Sequence, residues 1–243
     1  MSRRNGSYGI DAPYVPALMG IGLLTCLGLM VFAKVAGLWI TAVAIALMLA
    51  LYLHTTLRGK FAVWRELLDA QAWRGDEEVL DLGCGRGAIL LMAAARLPHG
   101  RAIGVDIWSS KDQSGNAMEV ATRNAQAEGV ADRVELRTAD MRELPFTDAS
   151  FDLVISNVAI HNIGDAAGRE RAIDEAWRVL RPGGRLLIAD ISNTAQYRRH
   201  LRARGVQSTR RSLGWRTWWG GPWMSTALVT ATKPADGHPQ LSV

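Results

Sequence analysis

The stretch Val79-Leu80-Asp81-Leu82-Gly83-Cys84-Gly85-Arg86-Gly87 decides the fold. An apolar run of strand length ends in glycines at alternate positions and opens into a helical stretch, Ala88 to Leu97. Glycine is needed where a backbone turns tightly and must approach a ligand with no Cβ in the way. The N–H groups that open the following helix then face that ligand. Taken alone, Gly83-x-Gly85-x-x-Ala88 also fits the dinucleotide fingerprint, so these glycines do not choose a cofactor.

Working outward, further apolar runs of strand length are Arg101 to Asp106, Arg133 to Asp140, Phe151 to Ser156 and Gly184 to Asp190. Helical stretches lie between them at Asn116 to Glu128 and Asp165 to Leu180. Pro182 is expected to stop the last of these and Gly183-Gly184 to turn the chain. Strands alternating with helices predict a parallel α/β sheet covered on both faces. Val206 to Leu213 and Met224 to Thr232 have no helix between them, which predicts an antiparallel pair at the sheet edge. The expectation is a doubly wound, seven-stranded Rossmann-like sheet over residues 76–234.

The neighbours of the glycine turn carry a resemblance. The chain resembles class I S-adenosylmethionine-dependent methyltransferases, and within them the quinone and sterol methyltransferase subgroup, through DLGCGRG, IGVDIW, RTADMRELPF, SNVAIHNI and LRPGG. The resemblance implies S-adenosylmethionine as cofactor. It implies that Asp81, Gly83, Cys84, Gly85 and Gly87 surround its methionine part, and that Asp106, followed by Ile107 and Trp108, holds the ribose hydroxyls. It further implies Asp140 and Met141 at the adenine and Asn157 beside the cofactor. A carboxylate accepts two hydrogen bonds at once, which suits the Asp106 position. Cys84 is read as a small residue packed under the turn.

His161, just past the fourth strand, is the candidate general base or substrate-positioning group, since imidazole titrates near neutrality. Asn162 and Trp219 are candidate substrate contacts. The polar segment from Trp108 to Asn116 is longer than a simple helix entry and is expected to form a lid or to touch the acceptor. No metal site is expected, because two cysteines, Cys26 and Cys84, make no cluster.

The 243 residues are 49% hydrophobic and 21% charged, with a formal net charge of +5, which excludes a disordered tail, a fibre and a polytopic membrane protein. Both averages hide their distribution. Between Pro13 and Leu57 the only charged residue is Lys34. Val15 to Ala33 and Leu38 to Leu57 each approach the roughly 20 apolar residues that span a bilayer. Residues 15–57 therefore read as a transmembrane helical hairpin. Gly20, Gly22, Gly28 and Gly37 are expected to let the helices approach closely, and Trp39 and Tyr52 to sit at the interfaces. Residues 1–14 read as an N-terminal segment, 58–75 as an interfacial helix or linker, and 235–243 as a flexible tail. Arg3, Arg4, Arg58, Lys60 and Arg65 flank the hairpin on one side and predict both termini, and the catalytic domain, in the cytoplasm.

From Ile191 to Ala235 there is no acid, but there are seven arginines, Lys233 and four tryptophans, Trp215, Trp218, Trp219 and Trp223. The positive charge is thus local. This stretch is expected to touch anionic headgroups, with lining of the substrate pocket as the alternative and nucleic acid the least favoured partner. The whole reads as a membrane-anchored methyltransferase for a lipophilic acceptor: a quinone, an isoprenoid, a phospholipid headgroup or a hydrophobic thiol. A nicotinamide-dependent oxidoreductase, a silent membrane scaffold and a nucleic-acid methyltransferase are the competing readings. Oligomeric state is not legible.

Overall fold

The computed structural model describes residues 4–109 and 115–235. Its centre is a seven-stranded sheet of β1 (Glu78–Leu82), β2 (Arg101–Asp106), β3 (Val134–Thr138), β4 (Phe151–Asn157), β5 (Leu180–Asp190), β6 (Ser208–Ser212) and β7 (Ala227–Thr232). The order is β3-β2-β1-β4-β5-β7-β6. The first five strands are parallel, and β7 runs antiparallel to both β5 and β6. The expected α/β class and the antiparallel edge pair are both present.

Alternation explains why the sheet is covered on both sides, since successive strand residues face opposite ways. Val79, Leu153, Ile155, Leu187 and Ala189 join one core. Leu80, Leu82, Val154, Leu186 and Ile188 join the other. The first core is closed by α3 (Lys60–Asp69), α4 (Ala88–Ala94) and α5 (Met118–Ala127), through Trp64, Leu68, Leu90 and Ala125. The second is closed by α6 (Ala166–Arg178) and α7 (Thr194–Ala203), through Ile173, Ala176, Tyr197 and Leu201. Helix α6 starts where the Asp165 side chain accepts from the Gly168 N–H at 2.6 Å. It ends at Arg178, short of the expected Leu180, because Leu180 already pairs with Phe151 as the start of β5, which runs through the expected Gly183-Gly184 turn with a shift of register.

Two apolar helices precede the sheet. Helix α1 (Tyr14–Phe32) and the helix that begins with α2 (Trp39–His54) are each long and apolar enough to cross a membrane. Of the four glycines expected at their contact, Gly22 lies near Ile45, while Gly20, Gly28 and Gly37 meet nothing. Tyr52 is buried, with its hydroxyl donating to the Asp11 carbonyl at 2.7 Å, so it is not an exposed interfacial ring.

The segment expected to lie along a membrane interface does something else. Helix α2 runs through a π-helical turn (Thr55–Gly59) straight into α3. Helix α3 then buries Phe61, Val63, Trp64, Leu67 and Leu68 in the core of the α/β domain. Its amphipathic pattern is satisfied by the sheet, not by lipid. One continuous helix therefore joins the apolar hairpin to the α/β domain without a linker.

The tryptophan-rich loop between β6 and β7 clamps that junction. Thr55 donates through its hydroxyl to the Trp218 carbonyl at 2.7 Å. His54 stacks on Trp215, and Trp219 meets Tyr52 edge-on. Arg216 makes a two-pronged pair with Glu66 at 2.6 and 2.7 Å. These contacts correct the headgroup-binding expectation for Arg216 and Trp219, although Trp215 and Trp223 stay largely exposed. Arg204 pairs with Asp174, and Arg210 bonds Thr194. Arg210 and Arg211 lie on the edge strand β6, where charge discourages pairing with another chain.

Gly59 sets how closely the clamp sits: a Cβ there would lie 1.7 Å from the Arg216 carbonyl oxygen. Gly59→Ala is expected to unseat the loop and cost about 1–3 kcal/mol. At about 2–4 °C per kcal/mol, thermal unfolding in detergent reads the loss directly.

The N-terminal segment is a strap lying on the domain. Glu128 accepts from the Asn5 and Gly6 N–H groups and from the Tyr8 hydroxyl at 2.8–3.0 Å. Asn124 accepts from the Ser7 N–H and donates to the carbonyls of Ser7 and Arg86. Asp11 is then fastened at the π-turn by Thr56, at 2.6 Å, and by the buried Lys60, at 2.5 Å. All but the first residue of the expected tail, 235–243, and most of the expected 108–116 lid (110–114) lie outside the described residues.

Candidate active site

The carboxyl ends of the parallel strands open into a cavity of about 750 Å³. Open α/β sheets bind ligands at this edge. Its floor is the glycine turn after β1. Gly83 has φ +71° and a backbone N–H bonded to the Val105 carbonyl at 2.8 Å. A Cβ on Gly83 would sit 2.3 Å from the Ala159 Cβ, so no side chain fits there. Gly87, at φ +83°, is the left-handed cap that starts α4 and is not part of the cavity wall.

Asp81, Gly83, Cys84, Gly85, Asp106, Ile107, Asp140, Met141, Asn157, His161, Asn162 and Trp219 all line this one cavity. Of the residues proposed from sequence, Gly87 and Trp108 alone stay out of its wall. Trp108, at φ +59°, folds back so that its indole donates to the Thr138 hydroxyl at 2.8 Å. Its backbone N–H donates to Asp106 at 2.6 Å, so it serves the acid rather than stacking in the cavity.

Among the described residues, Asp106 is held by three donors: Gly85 N–H at 2.8 Å, Trp108 N–H and the Asn116 amide at 3.3 Å. The Asn116 Oδ1 atom is buried at the cavity wall with no hydrogen-bond partner among the described residues. A buried acceptor of this kind is costly unless a donor arrives. A ribose hydroxyl beside Asp106 would supply one. Asn116 is thus a candidate site residue that sequence reading passed over, inside a segment read only as a lid.

Asp140 accepts a two-pronged guanidinium from Arg142, at 2.5–3.0 Å, which holds its carboxyl below the usual range. Asp81 is the opposite case. Burial, and then the neighbouring Asp106, push its carboxyl up to about 8, against the pull of the Leu90 N–H bond. Burial raises the Cys84 thiol still further, with Asp81 and Asp106 adding to it. The thiol packs against Gly104 and is kept protonated, as befits a small residue under the turn rather than a nucleophile. Asn157 is fixed from behind, its Oδ1 accepting from the Trp64 indole of α3 at 2.7 Å.

His161 sits on a short 3-10 turn (Ile160–Asn162) after β4. Its Nδ1 lies 2.7 Å from Oδ1 of Asp190, off the line of a well-formed hydrogen bond. Such bonds are often loose before substrate arrives. Asp190, fully buried at the end of β5, also accepts from the His161 and Ile191 N–H groups and the Tyr197 hydroxyl, at 2.8–3.2 Å. That hydroxyl is held protonated by burial and by Asp190 itself. The arrangement presents the imidazole to the cavity with its rear nitrogen against a carboxylate. Asp190 was missed in the sequence, where an acid ending a fifth strand reads as one more strand-end acid.

Three acids around the cradle suit a ligand with a cationic group and a diol. The hairpin and the tryptophan loop add apolar wall through Val15, Met19, Met48, Trp223 and Met224, and the α/β domain adds Ile89, Ile163 and Ile191.

Comparison with known proteins agrees with this geometry. Residues 74–220 match the family described as "Methyltransferase domain". The demethylmenaquinone methyltransferase of Symbiobacterium thermophilum is 35% identical over 136 residues, 55% of this chain and 51% of that protein. The ubiquinone/menaquinone biosynthesis C-methyltransferase of Roseobacter denitrificans is 33% identical over 135 residues, 55% and 50% of the two chains. The arsenite methyltransferase of Halobacterium salinarum is 38% identical over 122 residues, 50% and 29%. The chain spans about half, or less, of the length of these relatives. Among solved structures, the cyclase SpnF superposes with TM-score 0.57 at 22% identity, covering 70% of this chain and 79% of that one. The geranyl diphosphate C-methyltransferase of Streptomyces coelicolor, solved with geranyl diphosphate and S-adenosylhomocysteine, gives 0.55 at 19%, covering 71% and 79%. These two likenesses establish the fold, and a cyclase on the same fold shows that fold alone does not choose the reaction. The strand order, the glycine cradle with its three acids and the matched residues 74–220 together place the chain in the methyltransferase-domain family of S-adenosylmethionine-dependent enzymes.

Proposed function

We propose that this chain is a membrane-anchored methyltransferase that methylates a lipophilic acceptor of quinone or isoprenoid type. One observation carries the reading: the residues expected at S-adenosylmethionine and the ends of two membrane-length helices line the same cavity. Quinone methyltransferases among the relatives, and an isoprenoid methyltransferase among the structural neighbours, support it. An arsenite acceptor, as in another relative, is less suited, because As(III) favours several thiolates and this chain has two separate cysteines. The flanking arginines favour the domain on the cytoplasmic face.

Asp81 would meet the methionine ammonium, Asp106 and Asn116 the ribose, and Asp140 with Met141 the adenine. Bound there, S-adenosylmethionine supplies a methyl group on a cationic sulfur, open to in-line displacement. The chain's own contribution is to hold the acceptor in line in a site shielded from water. Where the acceptor carries a proton, His161 Nε2 takes it while Asp190 steadies the imidazole. Asn157 would lie beside the cofactor, and Asn162 would position the acceptor's polar group.

The Asp81 carboxyl gives a pH signature. Its value of about 8 means that the free protein holds a proton there at pH 6–7. Pairing with an ammonium requires the carboxylate, so binding must release that proton. S-adenosylmethionine affinity is expected to strengthen as pH rises from 6 to 8, by up to about tenfold per unit. Calorimetry in buffers of different ionisation heat counts the proton, and Asp81→Asn should lose both the release and most of the affinity.

The functional test uses the full chain with methyl-labelled S-adenosylmethionine and three acceptor pools: bacterial lipid extract, small thiols and RNA. Label in the lipid pool alone is the expected result; label confined to thiols or RNA overturns the reading.

A further inference from the structure

The cavity has two chemistries. Near the sheet it is polar, with Asp81, Asp106, Asn157 and His161. On the hairpin side the paired Asp11 and Lys60 and the phenols of Tyr14 and Tyr52 share the wall with an apolar group, Val15, Met19, Met48, Trp223 and Met224. Met19 lies five residues into α1, about 7.5 Å along the helix. Met48 lies at the matching level near the end of α2, and Gly220 of the tryptophan loop rests against both. The outer surfaces of the same two helices are apolar and open: Leu18, Leu24, Val31 and Leu47 are each more than 60% exposed. The apolar part of the cavity therefore stands at the depth where those surfaces would meet acyl chains. Trp223, 69% exposed at the rim beside Met224, is an amphipathic ring of the kind that settles at a membrane interface.

We propose that the gap bounded by Met19, Met48, Trp223 and Met224 is a lateral portal that holds the long apolar tail of a membrane-dissolved acceptor while its polar head reaches His161. This rests on the membrane-anchored reading and goes beyond it by naming the route and the tail-binding residues. An acceptor entering this way exchanges lipid contacts for protein contacts and never exposes its tail to water, which removes the main cost of extraction. Methionines suit such a wall, because an unbranched thioether adapts to tails of varied shape. The rigid helix through the π-turn, clamped by Arg216 to Glu66, keeps the portal in register with the glycine cradle below.

The test is photolabelling of the full chain in phosphatidylcholine/phosphatidylglycerol vesicles, using geranylgeraniol that carries a diazirine near its end. Adducts are expected on Met19, Met48, Trp223 and Met224 as well as on outward-facing Leu24 and Phe32. Met48→Trp, or Met19→Trp as the independent plug, should lower the cavity adducts about tenfold, the weight of roughly two methylenes of lost burial. Each plug variant is compared at unchanged S-adenosylmethionine binding, and outward adducts should persist. Adducts on Leu24 and Phe32 without cavity adducts, or cavity adducts that neither plug reduces, overturn the portal while leaving the anchor intact. No adducts on either helix would remove the membrane reading, and the portal with it.

Discussion

Gly83→Ala is expected to weaken S-adenosylmethionine binding by about a hundredfold or more. Two costs add. A non-glycine residue held at φ +71° pays roughly 1–2 kcal/mol for its left-handed backbone. The new methyl would also press on Ala159 from 2.3 Å, and relieving such overpacking costs typically about 1–3 kcal/mol. The sum falls on the cavity floor, because the Gly83 and Cys84 N–H groups both bond the Val105 carbonyl and the turn cannot simply slide. Equilibrium dialysis with labelled cofactor measures the loss, and circular dichroism checks that the helices remain. Adding Ala159→Gly should restore the steric share and leave the backbone share, so the double variant is expected to fall between the two. Wild-type affinity in Gly83→Ala alone would contradict the cradle described here.

Asp190→Asn should lower kcat about 10²–10⁴-fold with little change in S-adenosylmethionine affinity, by analogy with other carboxylates that orient a catalytic imidazole. The carboxylate accepts from His161, Ile191 and Tyr197, and an amide cannot accept from all of them and also face Nδ1. A general structural weakening would lower stability and cofactor binding together. A positioning role lowers turnover alone, and the double variant with His161→Ala should be no slower than His161→Ala itself. Additive losses would separate the two residues and return Asp190 to a purely structural place.

The sheet was readable because its signals are local. Apolar alternation in Leu186 to Ala189, or Leu153 to Ile155, dictates which side chain faces which core before any partner is known. The Asp81, Asp106 and Asp140 positions were readable through the family resemblance, and all three come together at the carboxyl edge of the parallel strands. What escaped depends on long-range partners. Helix α7 shows only Thr194, Tyr197 and Leu201 to its core amid three arginines, and so looked like surface charge. Asp190 and His161 are 29 residues apart, and nothing local pairs them. The N-terminal strap is polar sequence whose order comes from Glu128 and Asn124. Helix α3 was taken for an interfacial helix because an apolar stripe does not say whether protein or lipid covers it. The tryptophans divide for the same reason: Trp219 is buried against Tyr52 and Thr226 and lines the cavity, as the pocket-lining alternative expected, while Trp223 is open.

The most direct test of a methyltransferase that draws its acceptor from the bilayer is surface dilution. A prenylated hydroquinone is held at constant bulk concentration in vesicles, below saturation, while phosphatidylcholine is added to lower its mole fraction. Methyl transfer from labelled S-adenosylmethionine is followed as initial rate. With the site fed from within the membrane, the rate should fall in proportion to mole fraction. A rate that tracks bulk concentration and ignores added lipid would show an acceptor taken from water, and would contradict the account.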